Sequence, residues 1–298
     1  DKEISMDSLG GIYSSEVVPF EEIGNVGMLT SKGCYGKCLF CSYSKNNHEK
    51  AHSEDFIINE LDYIDMMTNH SNMSVSFFDD CFSINTERTI NLCSKLEKKN
   101  YNMQFWACTR ADMLNEELIR KMAQSNFRNV VIGLETASPS LLEKSGKLVY
   151  EYKAEQYIKK IEESFCLGMK YRLNPILTML LGLPGETEKD INITIDWIKK
   201  VRAENRISVC YLTCFPDSIL FDNSERYGIK VEKGVTFLPY KTYFNSYNMK
   251  KVYNKLRNTG ILNKNYVELY ENSFKLKSQF IDAISGVYSI CKLERGIS

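Results

Sequence analysis

The chain has 298 residues, 43% of them hydrophobic and 26% charged, an ordinary globular composition that fits one large barrel or two domains of about 150 residues each. Lys and Arg (38) balance Asp and Glu (38), so bulk charge gives no sign of nucleic acid or an anionic membrane as a partner, and no apolar run approaches the ~18 residues of a membrane helix. The opening Asp1-Lys2-Glu3-Ile4-Ser5 does not resemble a signal peptide, and ten scattered cysteines without one point to reduced thiols in a cytoplasm.

Strand-like and helix-like segments alternate, as parallel β/α units require. After a lead-in of residues 1–24, residues 25–31 form a first strand that runs into a cysteine-rich loop. A helix over 53–67 carries Ile57, Ile58, Leu61 and Ile64 on one face. Residues 73–78 read as a second strand, and Thr86 as the cap of a helix with Ile90, Cys93 and Leu96. A third strand spans 103–108, Asn115 caps a short helix, and 129–133 is a fourth strand. Ser138-Pro139 opens a helix expected to reach Gly168. The fifth strand lies within 171–181, a capping box at Thr187–Asp190 precedes the next helix, and 207–214 is the sixth strand. Six units make an open (β/α)6 partial barrel over 25–230. Residues 231–298, with a helix over about 265–277, make a mainly helical C-terminal extension, able to cover a substrate or simply to cap the barrel.

The loop reads Gly33-Cys34-Tyr35-Gly36-Lys37-Cys38-Leu39-Phe40-Cys41. Three thiolates at C-x3-C-x2-C spacing can hold three irons of a cubane and leave the fourth open. A structural zinc site needs four protein ligands, and none completes the set at a convincing spacing, although His48 and His52 lie just downstream. With His70, these histidines read as surface or loop residues. An electron-carrying ferredoxin also needs a fourth ligand. In β/α barrels chemistry sits at the carboxyl ends of strands, which is where this loop falls.

The spacing, with Phe40 before the third cysteine, resembles the signature of the radical S-adenosylmethionine (radical SAM) superfamily. The likeness extends over about 25–230 and is nearest the branch of cobalamin-dependent enzymes, coproporphyrinogen dehydrogenases and methylthiotransferases. Phe78-Asp79-Asp80-Cys81-Phe82 resembles the x-D-D-x-F part of its F-x-D-D-x-F, Arg110-Ala111-Asp112 its R-x-D, Gly133-Leu134-Glu135-Thr136 its G-x-E-[ST], and Gly182-Leu183-Pro184-Gly185 its turn after strand five. The resemblance implies that Cys34, Cys38 and Cys41 hold a [4Fe-4S] cluster and that S-adenosylmethionine is cleaved there to a 5′-deoxyadenosyl radical. It implies that Asp79 and Asp80 lie near the methionyl amino group and Arg110 near a carboxylate. Glu135 would meet ribose hydroxyls or the amino group, and Gly182 and Gly185 the adenine. The alternative for Asp79 and Asp80 is an acidic turn, and for Arg110 a surface salt bridge. At Phe215-Pro216-Asp217-Ser218, Asp and Ser replace the glycine and threonine of the family's turn.

Cys93 and Cys166 read as core residues. Cys81, Cys108, Cys210 and Cys214 fall near strand ends, where a thiol can either pack or return hydrogen to a substrate radical; alternation sets Cys210 and Cys214 on one side. The expected substrate is a peptide or small molecule, modified by epimerisation or crosslinking, with an electron donor such as flavodoxin or ferredoxin. Cobalamin is possible but not favoured, since no domain for it fits before residue 25 and no D-x-H-x-x-G motif occurs: either the enzyme does not use it, or its domain was removed or lies elsewhere. The alternatives are cobalamin-dependent methyl transfer and a non-catalytic iron–sulfur sensor or scaffold.

Overall fold

The computed structural model describes residues 5–11, 13, 25–43, 49–149, 152–212, 214–229, 256, 258 and 261. The predicted extension over 231–298, with its helix and Cys291, lies essentially outside these residues, as does His48. In chain order, β1 (Asn25–Met28) is followed by two short strands, β2 (Ser31–Lys32) and β3 (Lys50–Ala51), then α1 (Glu54–Met67) and β4 (Met73–Phe77). Next come α2 (Thr86–Lys99), β5 (Met103–Thr109), α3 (Glu116–Gln124) and β6 (Phe127–Glu135). The chain continues through α4 (Pro139–Lys144), α5 (Ala154–Lys170), β7 (Pro175–Leu181), α6 (Glu188–Lys200), β8 (Ile207–Tyr211) and α7 (Ile219–Asp222).

Six strands form one sheet in the order β1-β4-β5-β6-β7-β8, every neighbouring pair parallel. The order follows the chain, as successive β/α units with one hand of crossover give. This is the expected open α/β half-barrel. β2 and β3 pair antiparallel outside it.

Alternate strand residues close against the helices: Val75 and Phe77 of β4, Phe105 and Ala107 of β5, Ile132 and Leu134 of β6. Period-2 alternation then puts the intervening residues on the concave face. Phe77 stacks on Phe82 and Phe105 at 5.0 and 5.5 Å, and Phe127 packs against Phe82 at 5.3 Å. Each such ring contributes roughly 1.5–3 kcal/mol by leaving water.

Local signals set the helix starts. Ser53, Asn85, Asn115 and Thr187 each accept a hydrogen bond from the first turn of their helix. Asn85 thus caps α2, and Thr86 is its first helical residue. The helix expected from Pro139 to Gly168 is two helices, α4 and α5. The break begins at Ser145-Gly146-Lys147, where Gly146 has φ +70°, a conformation glycine adopts without penalty. No helix among the described residues is long and apolar enough to cross a membrane.

Candidate active site

The cysteine loop leaves the sheet beyond β1 and is tied down by contacts from elsewhere in the fold. Buried Asp79, just after β4, accepts hydrogen bonds from Thr30 N (2.6 Å), Thr30 Oγ1 (2.5 Å) and Ser31 Oγ (2.7 Å). Its neighbour Asp80 accepts from Gly33 N at 2.8 Å. Leu39 N donates to Ser145 O (2.9 Å), and Leu39 O accepts from Leu220 N (2.8 Å). Gly146 packs so close that an added Cβ would collide with Lys37 O. Phe40 packs, half-buried, on a small cluster that includes Leu180, Leu183 and Leu220. The acidic pair placed beside the methionyl group by resemblance is therefore committed to loop backbone and hydroxyls, Asp79 completely.

Arg110 is likewise occupied. Its Nε and Nη2 meet Asp112 at 3.0 and 2.7 Å, Nη2 also donates to Lys147 O at 2.7 Å, and Nη1 lies 3.9 Å from Cys38 Sγ. With the Arg110 side chain 6% exposed, it braces the loop rather than waiting for a ligand carboxylate. Gly36 makes room for it, since a Cβ there would sit 2.7 Å from Nη1. Tyr157 lies under the guanidinium, 5.8 Å from Cζ to ring centroid, and its buried hydroxyl has no hydrogen-bond partner. Burial pushes that phenol up to about 12.

Lys147 is the residue that sequence reasoning missed. Its ammonium reaches across Gly133, where a Cβ would lie 2.5 Å from Nζ, and pairs with Glu135 Oε1 at 2.9 Å. Burial opposes its charge, but Glu135 keeps the ammonium protonated well above the ordinary lysine range. Glu135 has φ +62° at a register shift between β6 and β7. Such bulges re-aim side chains near functional sites; here Oε2 accepts from Thr178 Oγ1 at 3.1 Å on the concave face. Gly182 (φ +99°) and Gly185 (φ +78°) adopt backbone suited to glycine, with open space where a Cβ on Gly185 would stand. Gly182 N donates to Glu186 Oε2 at 2.6 Å.

The three loop thiols differ. A hydrogen bond with Cys81 lowers the Cys34 thiol to about 6. Burial raises Cys38, against the pull of Lys147 and Arg110, and lifts Cys41 to about 11. A metal bound through these thiols would displace protons from Cys38 and Cys41 at neutral pH.

The remaining thiols separate. Cys81 is 1% exposed and turned to Cys34, so it does not line an open mouth. Cys214 is also enclosed, within the cluster around Leu212 and Leu220; β8 ends at Tyr211, so alternation does not carry to it. Cys210 is exposed and Cys108 half-buried. Cys93 is buried in the core, whereas Cys166 is exposed, off the α5 face formed by Ile161, Phe165 and Gly168. His52 is not a loose loop residue: it is 9% exposed, meets Asp7 at 3.0 Å and stacks on Phe56. Asp217 keeps a left-handed backbone (φ +67°), so the turn retains a glycine-like conformation without glycine.

Three soft thiol donors on a clamped loop, with two enclosed cations beside the middle one, suit a multi-iron cluster carrying net negative charge. A half-barrel bearing such a loop at the carboxyl end of its first strand defines a class of iron–sulfur enzyme fold. The chain belongs to the radical SAM superfamily, whose family model matches residues 28–198; its members use a [4Fe-4S] cluster and S-adenosylmethionine. An uncharacterized methyltransferase of Pyrococcus horikoshii is 27% identical over 191 residues, 63% of this chain and 39% of that protein. A tRNA-2-methylthio-N(6)-dimethylallyladenosine synthase of Finegoldia magna is 24% identical over 208 residues, 64% of this chain and 41% of that one. The chain thus spans about two-fifths of the length of these curated relatives. Among solved structures, the radical S-adenosylmethionine methyltransferase TsrM of Kitasatospora setae, with cobalamin and a [4Fe-4S] cluster bound, superposes with a TM-score of 0.58 at 18% identity. The match covers 71% of this chain and 39% of that chain.

Proposed function

We propose that Cys34, Cys38 and Cys41 hold a [4Fe-4S] cluster and that the enzyme abstracts hydrogen from a peptide, leading to epimerisation or crosslinking. When bound, the cluster supplies the electron that cleaves S-adenosylmethionine to methionine and the 5′-deoxyadenosyl radical. The observation that carries this reading is the clamped three-cysteine loop with Arg110 Nη1 3.9 Å from Cys38 Sγ. Arg110 and Lys147 offset the negative charge of the loaded loop, which otherwise would be costly to bury. Glu135 and Thr178 offer oxygens on the concave face for hydroxyl or amino groups of S-adenosylmethionine. Gly182 and Gly185 let a flat base approach the backbone.

Of the thiols weighed as hydrogen donors, Cys210 fits best, being exposed and on the concave side. Its S–H would break as a C–H bond forms on the substrate radical. The sulfur radical left behind takes one electron and a proton from the external reductant, a flavodoxin or ferredoxin in the cell.

Methyl transfer through cobalamin is the second reading, supported by the likeness to the uncharacterized Pyrococcus methyltransferase and to the methyltransferase TsrM. One anaerobic experiment separates the two. The full chain is reconstituted with iron and sulfide, supplied with S-adenosylmethionine and dithionite, and its products are weighed by mass spectrometry with and without hydroxocobalamin. 5′-Deoxyadenosine without cobalamin is expected. S-adenosylhomocysteine only with cobalamin would move the assignment to methyl transfer. Cys38→Ala should lose the cluster's visible absorbance and all 5′-deoxyadenosine; undiminished cleavage in that variant would refute the cluster assignment.

A further inference from the structure

Away from the cysteine clasp, the concave face carries an aromatic pair. The ring of Phe78, 61% exposed, follows β4 and meets half-buried Trp106 of β5 edge-on at 6.4 Å. Single exposed apolar residues are common on proteins; this one has space reserved for it. A Cβ at Gly27 of β1 would meet the ring where it now lies, so glycine there leaves Phe78 room in this position. On the same side Ser76 is small and bonds Asn25 Oδ1 at 3.3 Å, which leaves the flank of the ring uncrowded.

Charge narrows what such a surface takes. Across the six described strands of the sheet, the charged residues are Arg128 and Glu135. Arg128 lies at the amino end of β6, away from the cysteine loop. Glu135 is neutralised by Lys147 at 2.9 Å. Among the described strand residues, the face beside Phe78 and Trp106 therefore offers rings, hydroxyls and thiols but no free cation for a phosphate or carboxylate. Edge-to-face aromatic contacts are the interaction it is shaped to make.

We propose that Phe78 and Trp106 form a substrate subsite that receives an uncharged aromatic side chain of a peptide. The subsite rests on the reading of this face as the site of peptide modification, and it specifies which residues of the peptide are selected. Phe78 and Trp106 supply the two walls, and Gly27 leaves room for the Phe78 ring.

Trp106 itself reports the test. The chain has two tryptophans. The other, Trp197, is 9% exposed on the helix side, and its indole nitrogen has no partner, so Trp197→Phe removes no hydrogen bond. In the full-length, cluster-reconstituted W197F protein, Trp106 emission is followed while neutral N-acetyl-4-nitrophenylalaninamide is added. Saturable quenching is expected, at least tenfold weaker in affinity in the added variants Phe78→Ala and Phe78→Leu. N-acetyl-tyrosinamide should reverse it and N-acetyl-phosphotyrosinamide should not.

Phe78 is largely exposed, so neither substitution endangers folding, and the leucine variant keeps bulk while deleting the ring. Purely linear quenching, the same in F78A and wild type, would overturn the subsite, and equal competition by the phosphorylated amide would overturn its preference for neutral rings. The binding readout needs no turnover. Linear quenching with intact S-adenosylmethionine cleavage removes the subsite alone; saturable quenching with no cleavage under any reductant removes the radical reading and leaves an aromatic-binding face.

Discussion

The Lys147–Glu135 pair is enclosed, with side chains 5% and 13% exposed. Removing one member of such a pair leaves the other's charge in protein with nothing to offset it, a loss of about 3–5 kcal/mol. Lys147→Met is expected to destabilise the fold by that order in urea unfolding. The double variant Glu135→Gln, Lys147→Met should recover a substantial part, because no charge remains to be satisfied; additive losses would show that the two residues act separately. Lys147 was illegible in the sequence for a physical reason. It stands in a connector between two helices, and its partner becomes accessible only because β6 bulges at Glu135 and Gly133 lacks a side chain. Cys34, Cys38 and Cys41 stand out in the sequence because the spacing of three thiols on one loop is local. Arg110 and Asp112 were legible as a pair of positions but not as partners, since the tight turn after β5 folds the two side chains onto each other.

At the scale of elements, period-2 and 3.6-residue patterns located the parallel strands and their helices, with errors where chain punctuation competes with periodicity. Leu141 and Leu142 continue an apolar pattern toward α5, yet Ser145-Gly146 stops α4 because Gly146 must lie against Lys37. The capping box before α6 was readable from Thr187 and Asp190, and it carries a pH signature. Burial opposes ionisation of Asp190, but hydrogen bonds from Ser138 and Thr187 hold its carboxyl below the ordinary 3.8. A carboxyl depressed by folding stabilises above its unfolded value and loses that contribution as pH falls through the folded one. Asp190→Ala should cost about 0.5–2 kcal/mol at neutral pH, the usual worth of a cap. The difference from wild type should shrink below pH 3.8; a difference constant down to pH 2.5, roughly, would assign the effect to packing instead.

For the whole molecule, the cysteine loop depends on segments remote in sequence: Asp79 and Asp80 after β4, Arg110 after β5, Ser145 after α4 and Leu220 in α7. Leu220 is fully buried in the smaller apolar cluster against which Phe40 packs. Leu220→Ala should cost about 2–5 kcal/mol locally and lower the iron retained per chain after desalting, while far-ultraviolet circular dichroism stays near wild type. Full iron retention in that variant would mean that the amino-terminal contacts hold the loop unaided.

The bond from Leu220 N to Leu39 O also has a temporal meaning. A ribosome adding roughly 5–20 residues per second reaches Leu220 on the order of 10–40 s after Leu39. During that interval the nascent cysteines have no finished seat, and they are open to oxidants and to stray thiophilic metals. Delivery of iron and sulfide to a completed chain, rather than to one still emerging, is the order of biosynthesis that this architecture favours.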